Sequence, residues 1–319
     1  MSYPSLMVCT LGLIGISTLI LNFQPASPAF PMEKGFLMNV SIGNDSFRDN
    51  VNNSQHFSNS NVQSFDEQEL SSIISKMQSE ISSIIEVAEL SMNGTYSFGN
   101  LPLINLTTEM IDQFKGIPQD QDLNKRNEAK KLLSENPALL YVGLLLPNGD
   151  RYFGEPFDPY QINGSVSNFA YRDHFNGALE SSRPYLSNTL AAVSTGEPFS
   201  ILATPIYTHQ IENRTLVGIQ VLGINFKHFD QLIDSSRSLS KNDTRLLLLD
   251  NNGTKIGDSS LDFTPLESFN NLQSFNNARN GESGELHEEI SGKSTRILYS
   301  PLNFAQSQWI LLSFSPSTS

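Results

Sequence analysis

Two strand-length apolar runs in this chain close on the same turn, and that repetition constrains the fold more than any other feature. Residues 139–146 lead into Pro147-Asn148-Gly149-Asp150 and then Arg151-Tyr152-Phe153. Residues 245–250 lead into Asn252-Gly253 and then Lys255-Ile256. Asn-Gly between such runs marks a tight hairpin, and in its commonest form both turn residues need positive φ. Downstream, Ile201-Leu202-Ala203-Thr204-Pro205 parallels Ile297-Leu298-Tyr299-Ser300-Pro301, and each is followed by a last apolar strand, 216–226 and 309–314. The pattern predicts two units of hairpin, helix and further antiparallel strands, each of about 80–100 residues, a domain-like size. A helix over 226–237 is expected to join them.

A long helix precedes both units. Ser64 and Glu67 form a capping box, each side chain reaching the other's free amide. Leu70, Ile73, Ile74, Met77, Ile81, Ile84, Ile85 and Ala88 then line one stripe at helical spacing. Asn93-Gly94 supplies the stop. A continuous helix here would be about 40 Å long. The stripe is expected to bury against both units of its own chain. A second helix is expected over 125–133, with Pro137 preventing its extension.

Residues 6–21 are almost uniformly apolar, on the short side of the roughly 17–25 residues that span a bilayer. With Ser27 and Ala29 spaced for cleavage, residues 1–29 read as a signal peptide or an uncleaved signal anchor. Either places the body of the protein outside the cytoplasm, secreted or held at the cell surface. Asn- and Ser-rich residues 30–63 read as a disordered linker. Nine Asn-x-Ser/Thr sequons fit that placement. No second apolar run of spanning length follows.

Composition removes several functions. With 20 Lys+Arg against 33 Asp+Glu, the net charge is −13, which argues against nucleic acid and against polybasic attachment to anionic lipid. The single cysteine, Cys9, sits in the apolar run, which excludes a cysteine zinc site or thiol chemistry in the body. No nucleophile elbow, zincin helix, P-loop or dinucleotide fingerprint occurs, and Asp250-Asn251-Asn252-Gly253 lacks the glycine and closing Glu of a calcium loop. Neither an enzyme nor a metal or cofactor site is expected.

Two stretches carry a family resemblance. One is Tyr171-Arg172-Asp173-His174-Phe175-Asn176-Gly177-Ala178, followed by Arg183-Pro184-Tyr185-Leu186-Ser187, Thr195-Gly196-Glu197-Pro198 and Ala203-Thr204-Pro205-Ile206. The other runs from Gly281 through Gly284, Gly292 and Tyr299-Ser300-Pro301-Leu302 to Trp309-Ile310-Leu311. With the long helix, they resemble the double Cache domain, the extracytoplasmic sensor module of many receptors. The resemblance implies an α+β fold with two stacked PAS-like antiparallel sheets on one helix. It divides the chain into a long helix at 64–97, a membrane-distal unit at 98–240 and a membrane-proximal unit at 241–316. The distal unit of this family usually holds a small-molecule ligand.

In the amino-acid-binding branch of the family, an Arg opens the motif, aromatic residues follow, and an Asp comes later. Arg172 fits, but His174-Phe175 replace the aromatic pair, Ala192 falls at the Asp position and Ser167 stands where a Tyr precedes the Arg. Without a carboxylate to hold an α-ammonium, an organic acid or other small anion is the expected ligand. Arg172 would form a two-point contact with a carboxylate or phosphate; its structural alternative is pairing with Asp173 or a loop carbonyl. His174 and Phe175 are expected as pocket walls, with core packing as the alternative for Phe175. Tyr171, Tyr185 and Ser187 are candidate hydroxyl donors, with a surface turn as the alternative for Ser187. The resulting reading is a small-molecule sensing module without an output domain in the chain, acting through a membrane signalling partner. The competing reading is a structural or adhesive surface protein with a ligand-free Cache fold.

Overall fold

The computed structural model describes residues 65–157, 167–191, 198–208, 214–237, 244–260 and 267–316. The apolar segment at 6–21, the linker, Ser64 of the capping box and Ala192 lie outside them. Among the described residues no helix is long and apolar enough to cross a membrane.

Helix α1 spans Phe65–Met92, followed by a 3₁₀ turn at Ser97–Gly99. Gly94 ends α1 at φ +80°, as the Asn-Gly pair requires. Next come α2 (Thr108–Phe114) and α3 (Leu123–Glu135), the second of which contains the expected 125–133 segment. The first sheet takes its strands from β1 (Leu139–Leu145), β2 (Arg151–Glu155), β3 (Tyr185–Leu186), β6 (Ile201–Tyr207) and β7 (Leu216–Ile224), in the order β2-β1-β7-β6-β3. Helix α4 (Asp173–Ser181) lies between β2 and β3, and the short strands β4 (Leu190–Ala191) and β5 (Pro198–Phe199) pair apart from the sheet. Helix α5 (Phe226–Arg237) leads to the second sheet. That sheet contains β8 (Arg245–Leu249), β9 (Lys255–Asp258), β10 (Gly284–Ile290), β11 (Lys293–Phe304) and β12 (Ser307–Pro316), with α6 (Gln273–Arg279) between β9 and β10. Its order, β9-β8-β12-β11-β10, repeats that of the first, and every pairing in both sheets is antiparallel.

The hairpin turns differ from the expected doubly positive form. Only the glycine of each Asn-Gly pair has positive φ, +86° at Gly149 and +81° at Gly253. Gly149 N–H closes a four-residue turn on the Leu146 carbonyl at 2.8 Å, and Gly253 N–H does so on Asp250 at 2.9 Å. Pro147 presets the second position of such a turn, leaving the left-handed position to glycine alone. The extra residue appears as a register shift at Leu144/Leu145 and again at Leu248/Leu249.

Leu70, Ile73, Met77, Ile81, Ile84, Val87 and Ala88 are the buried apolar residues of α1, while Ile74 and Ile85 are half-buried at its flank. Each fully buried Ile or Met contributes roughly 1.5–3 kcal/mol. The helix serves both sheets. Midway along it Gln78 donates to the Asn303 carbonyl at 3.2 Å, and at its end Met92 O accepts from Arg214 at 3.1 Å. Val142, Leu144, Leu202 and Leu222 of the first sheet and Leu248, Leu302 and Leu311 of the second belong to one continuous apolar core with the buried residues of α1. Trp309 anchors α5 to the second sheet, edge-on to Phe226, Phe229 and Phe304 at 4.9–5.9 Å.

Candidate functional site

The face of the first sheet turned away from α1 is covered by α4. Because side chains alternate along a strand, Leu145, Ile201, Ala203, Ile219 and Val221 project to this face and pack with Phe175 and Ala178 of the helix. Tyr141 lies across the same face. A Cβ at Gly154 would stand 2.1 Å from its hydroxyl and one at Gly143 2.7 Å from it, so both glycines make room for the ring.

The structure distributes the predicted residues unevenly over this region. Tyr171 is 60% exposed, and the Arg172 guanidinium lies 5.0 Å over its ring. Arg172 is half-buried at the N-cap position of α4, and among the described residues its guanidinium has neither a hydrogen bond nor an ion pair. Neither structural alternative for Arg172, the Asp173 pair or the loop carbonyl, is therefore formed there. His174 is buried on the inner side of α4. Its Nδ1 stands 3.8 Å from Asp173 Oδ1, beyond hydrogen-bond reach, and has no hydrogen-bond partner among the described residues. The Asp173 carboxyl is nevertheless held below its ordinary value, chiefly by this imidazole, against burial and with help from the His174 and Asn188 amides.

Tyr185 is half-buried with its ring stacked on the backbone of Gly177, where an added Cβ would meet ring carbons at 2.5 Å. Burial raises its hydroxyl above the ordinary phenol value, and the Asp173 and Glu180 carboxylates add to the rise. Ser187 is not in a surface turn. It is buried, its Oγ accepting the Ile201 amide at 3.0 Å and donating to the Asn188 carbonyl at 2.8 Å. The hydroxyl satisfies backbone groups where the two-residue β3 ends, which the sequence context of a short turn could not indicate.

This segment also joins the two sheets. Gln306, in the β11–β12 turn, donates from Nε2 to the Leu186 carbonyl and accepts the Leu186 amide at Oε1, both at 2.8 Å. Asp250 accepts the Thr189 amide at 3.1 Å while its other oxygen holds the β8–β9 turn. β3 and the residues after it therefore touch α4 on one side and the second sheet on the other.

The internal repeat separates scaffold from special residues. Phe169 N–H bonds Gly149 O, and Phe269 N–H bonds Gly253 O, both at 2.8 Å. Arg172 and Leu272 are both extended N-cap residues whose amides return to Phe169 and Phe269. Asn176 and Asn276 each donate a side-chain amide to that N-cap carbonyl. Phe175 matches Phe275, and Ala178 matches Ala278, each pair buried under its helix. Those residues build the unit. Arg172, Asp173, His174 and Gly177 instead face Leu272, Gln273, Ser274 and Asn277 across the repeat, so the first unit is distinguished by a cation, an imidazole and a space for an aromatic ring. The repeated Phe-Asn-x-Ala was visible in the sequence; its alignment needed the two helices.

No protein-family model matches the sequence, and no curated protein is similar to it. Solved structures are similar. An extracellular ligand-binding receptor from Desulfohalobium retbaense superposes over 77% of this chain with TM-score 0.54 at 14% identity, and this chain spans 39% of that one's length. The periplasmic sensory domain of a Campylobacter jejuni chemoreceptor gives TM-score 0.56 at 14% identity over 77% of this chain and 92% of its own. The ligand-binding domain of a Pseudomonas aeruginosa amino-acid chemoreceptor, solved with GABA, gives 0.52 at 14% identity over 76% and 95%.

Proposed function

We propose that this chain, which has the double Cache fold shared with those sensory domains, is an extracytoplasmic module that binds a small organic anion under α4 of its first unit. The observation that carries the reading is the buried imidazole of His174, whose Nδ1 has no hydrogen-bond partner among the described residues, two positions along α4 from Arg172, whose guanidinium has no ion pair among them; the repeated unit has Ser274 and Leu272 at those positions. Unsatisfied buried polar atoms are rare and costly, of order 1–3 kcal/mol, and a bound acceptor or donor would remove that cost. Arg172 would grip the carboxylate, His174 would supply one further hydrogen bond, and Tyr185 and Ser187 would hold the β3 side of the site. Phe175 serves as wall and scaffold together. The bound state would reach a membrane signalling partner through β3, Gln306 and Asp250.

Isothermal titration of the purified chain with acetate, lactate, pyruvate and malate, with GABA as comparator, tests this reading. Binding of at least one acid is expected, weakened about ten- to hundredfold in Arg172→Ala, the equivalent of a charge-assisted contact. Silence toward every acid, or affinity untouched by both Arg172→Ala and His174→Ala, refutes it. A second reading, a ligand-free structural or adhesive surface module, draws support from the apolar packing of Leu145, Phe175, Ile219 and Val221 beneath α4. Under that reading no titrant of any charge produces heat.

A further inference from the structure

The α1 side of the first sheet has its own concavity. A cleft of about 530 Å³ opens between the 3₁₀ turn, the start of α3 and the end of β6, and Ser97, Asn100, Leu101, Asp122, Asn124 and Lys125 are among the residues lining it. Small-ligand sites are typically about 300–1,000 Å³. Its polar centre is an ion pair, Lys125 Nζ lying 3.1 Å from Asp122 Oδ2, with the lysine only 4% exposed. The Tyr152 hydroxyl donates to the same Oδ2 at 2.8 Å and accepts the Ile104 amide at 3.1 Å. Burial holds that hydroxyl well above the ordinary phenol value, so it stays a donor.

This arrangement selects a ligand by charge. The Lys–Asp pair contributes no net charge, and Glu128, which accepts both the amide and hydroxyl of Ser97, adds a carboxylate nearby. An anion is therefore disfavoured. A cation would compete with Lys125 for Asp122. Neutral hydroxyls suit the lining: both contacts of Asp122 fall on Oδ2, its side chain does not cap α3, and an ammonium carries three donors. Asn100 and Asn124 each offer an acceptor and two donors at the exposed rim. Leu101, 60% exposed, and Pro102 supply an apolar wall for the C–H face of a sugar ring. The tether through Tyr152 pre-organises the polar groups, which lowers the ordering cost of binding.

We propose that this cleft is a second site, separate from α4, that binds a neutral mono- or disaccharide. Saturation-transfer NMR on the whole chain tests it with glucose, galactose, N-acetylglucosamine and maltose, with acetate and GABA as charged controls. Transfer to at least one saccharide is expected, with affinity about five- to tenfold lower in Asn124→Ala and in Asn100→Ala, each losing about one hydrogen bond. Both positions are exposed, so folding is retained and circular dichroism verifies it. Arg172→Ala should leave the signal unchanged, which keeps this result distinct from the anion site. Absence of transfer to all four saccharides, or transfer unaltered in both asparagine variants, overturns the proposal. So does transfer to acetate or GABA that Asn124→Ala abolishes and Arg172→Ala does not.

Discussion

Replacing Gly177 by alanine tests whether the first unit was shaped around an aromatic ring. In the middle of a helix that change should stabilise by about 1 kcal/mol, since glycine loses the most backbone entropy on folding. Here the new methyl would sit 2.5 Å from Cδ2 and Cε2 of Tyr185 and 2.6 Å from Cγ. Carbon atoms rest at about 3.5–4.0 Å, so ring or helix must move by about 1 Å. The ring cannot swing freely, because β3 is paired with β6 and Leu186 is held at both backbone groups by Gln306. Overpacking of this kind costs about 1–3 kcal/mol, which set against that gain leaves Gly177→Ala destabilising by up to about 2 kcal/mol. Removing the ring should reverse the sign: in a Tyr185→Ala background the same substitution should stabilise by about 1 kcal/mol. The coupling energy is then about 1–3 kcal/mol, readable from urea unfolding of the four proteins. Additivity within about 0.5 kcal/mol, or a Gly177→Ala protein more stable than the parent, would refute the argument. The repeat offers an internal control. At the equivalent helix position, Asn277 carries a side chain and donates it to the Tyr299 hydroxyl at 3.2 Å.

Other consequences follow from buried charge and from the junction of the two sheets. Arg126 is fully buried, bonded to Glu155 at 2.7 Å and to the carbonyls of Ile117, Pro118 and Gln121. Arg126→Leu should cost about 3–5 kcal/mol by leaving Glu155 unpaired, and Arg126→Leu/Glu155→Leu should recover much of that in urea unfolding. Burial pushes the Asp230 carboxyl from 3.8 up to about 6, against the Asp258 amide it accepts and with Asp234 and Asp258 adding to the rise. A raised folded-state value means its stabilising contribution is full below about pH 4 and lost as pH climbs through about 6. Asp230→Asn should therefore raise stability at pH 8 by about 1–2 kcal/mol, discounted for partial exposure, and by nothing at pH 4; equal gains at both would disprove the cause. Gln306→Ala removes both bonds to Leu186 and should cost about 1–2 kcal/mol, with faster hydrogen exchange at Leu186 than at Leu202; unchanged exchange would show that the amide clamp does not hold β3.

The repeat, the hairpins, the stripe of α1 and the connecting helix were all legible in the chain, because each rests on neighbours in sequence. A proline and glycine at set offsets dictate a turn, and a 3.6-residue apolar spacing dictates which side of a helix is buried. Even there, the turn type rests on the φ values, which place only the glycine of each Asn-Gly pair in the left-handed region. Arg172 and His174 are legible as residue types suited to a binding site, but not as a half-buried cation and a buried imidazole whose Nδ1 has no hydrogen-bond partner among the described residues. What only the tertiary structure decided involves partners far apart in the chain. Ser187 is buried because Ile201 needs an acceptor, Leu186 is gripped by a glutamine 120 residues away, and Lys125 with Asp122 becomes the centre of a cleft through residues brought from the 3₁₀ turn and β6. Local sequence sets backbone angles and periodicity, whereas the environment of a polar group depends on which distant atoms exclude water from it, and that is known only once the sheets and helices have met.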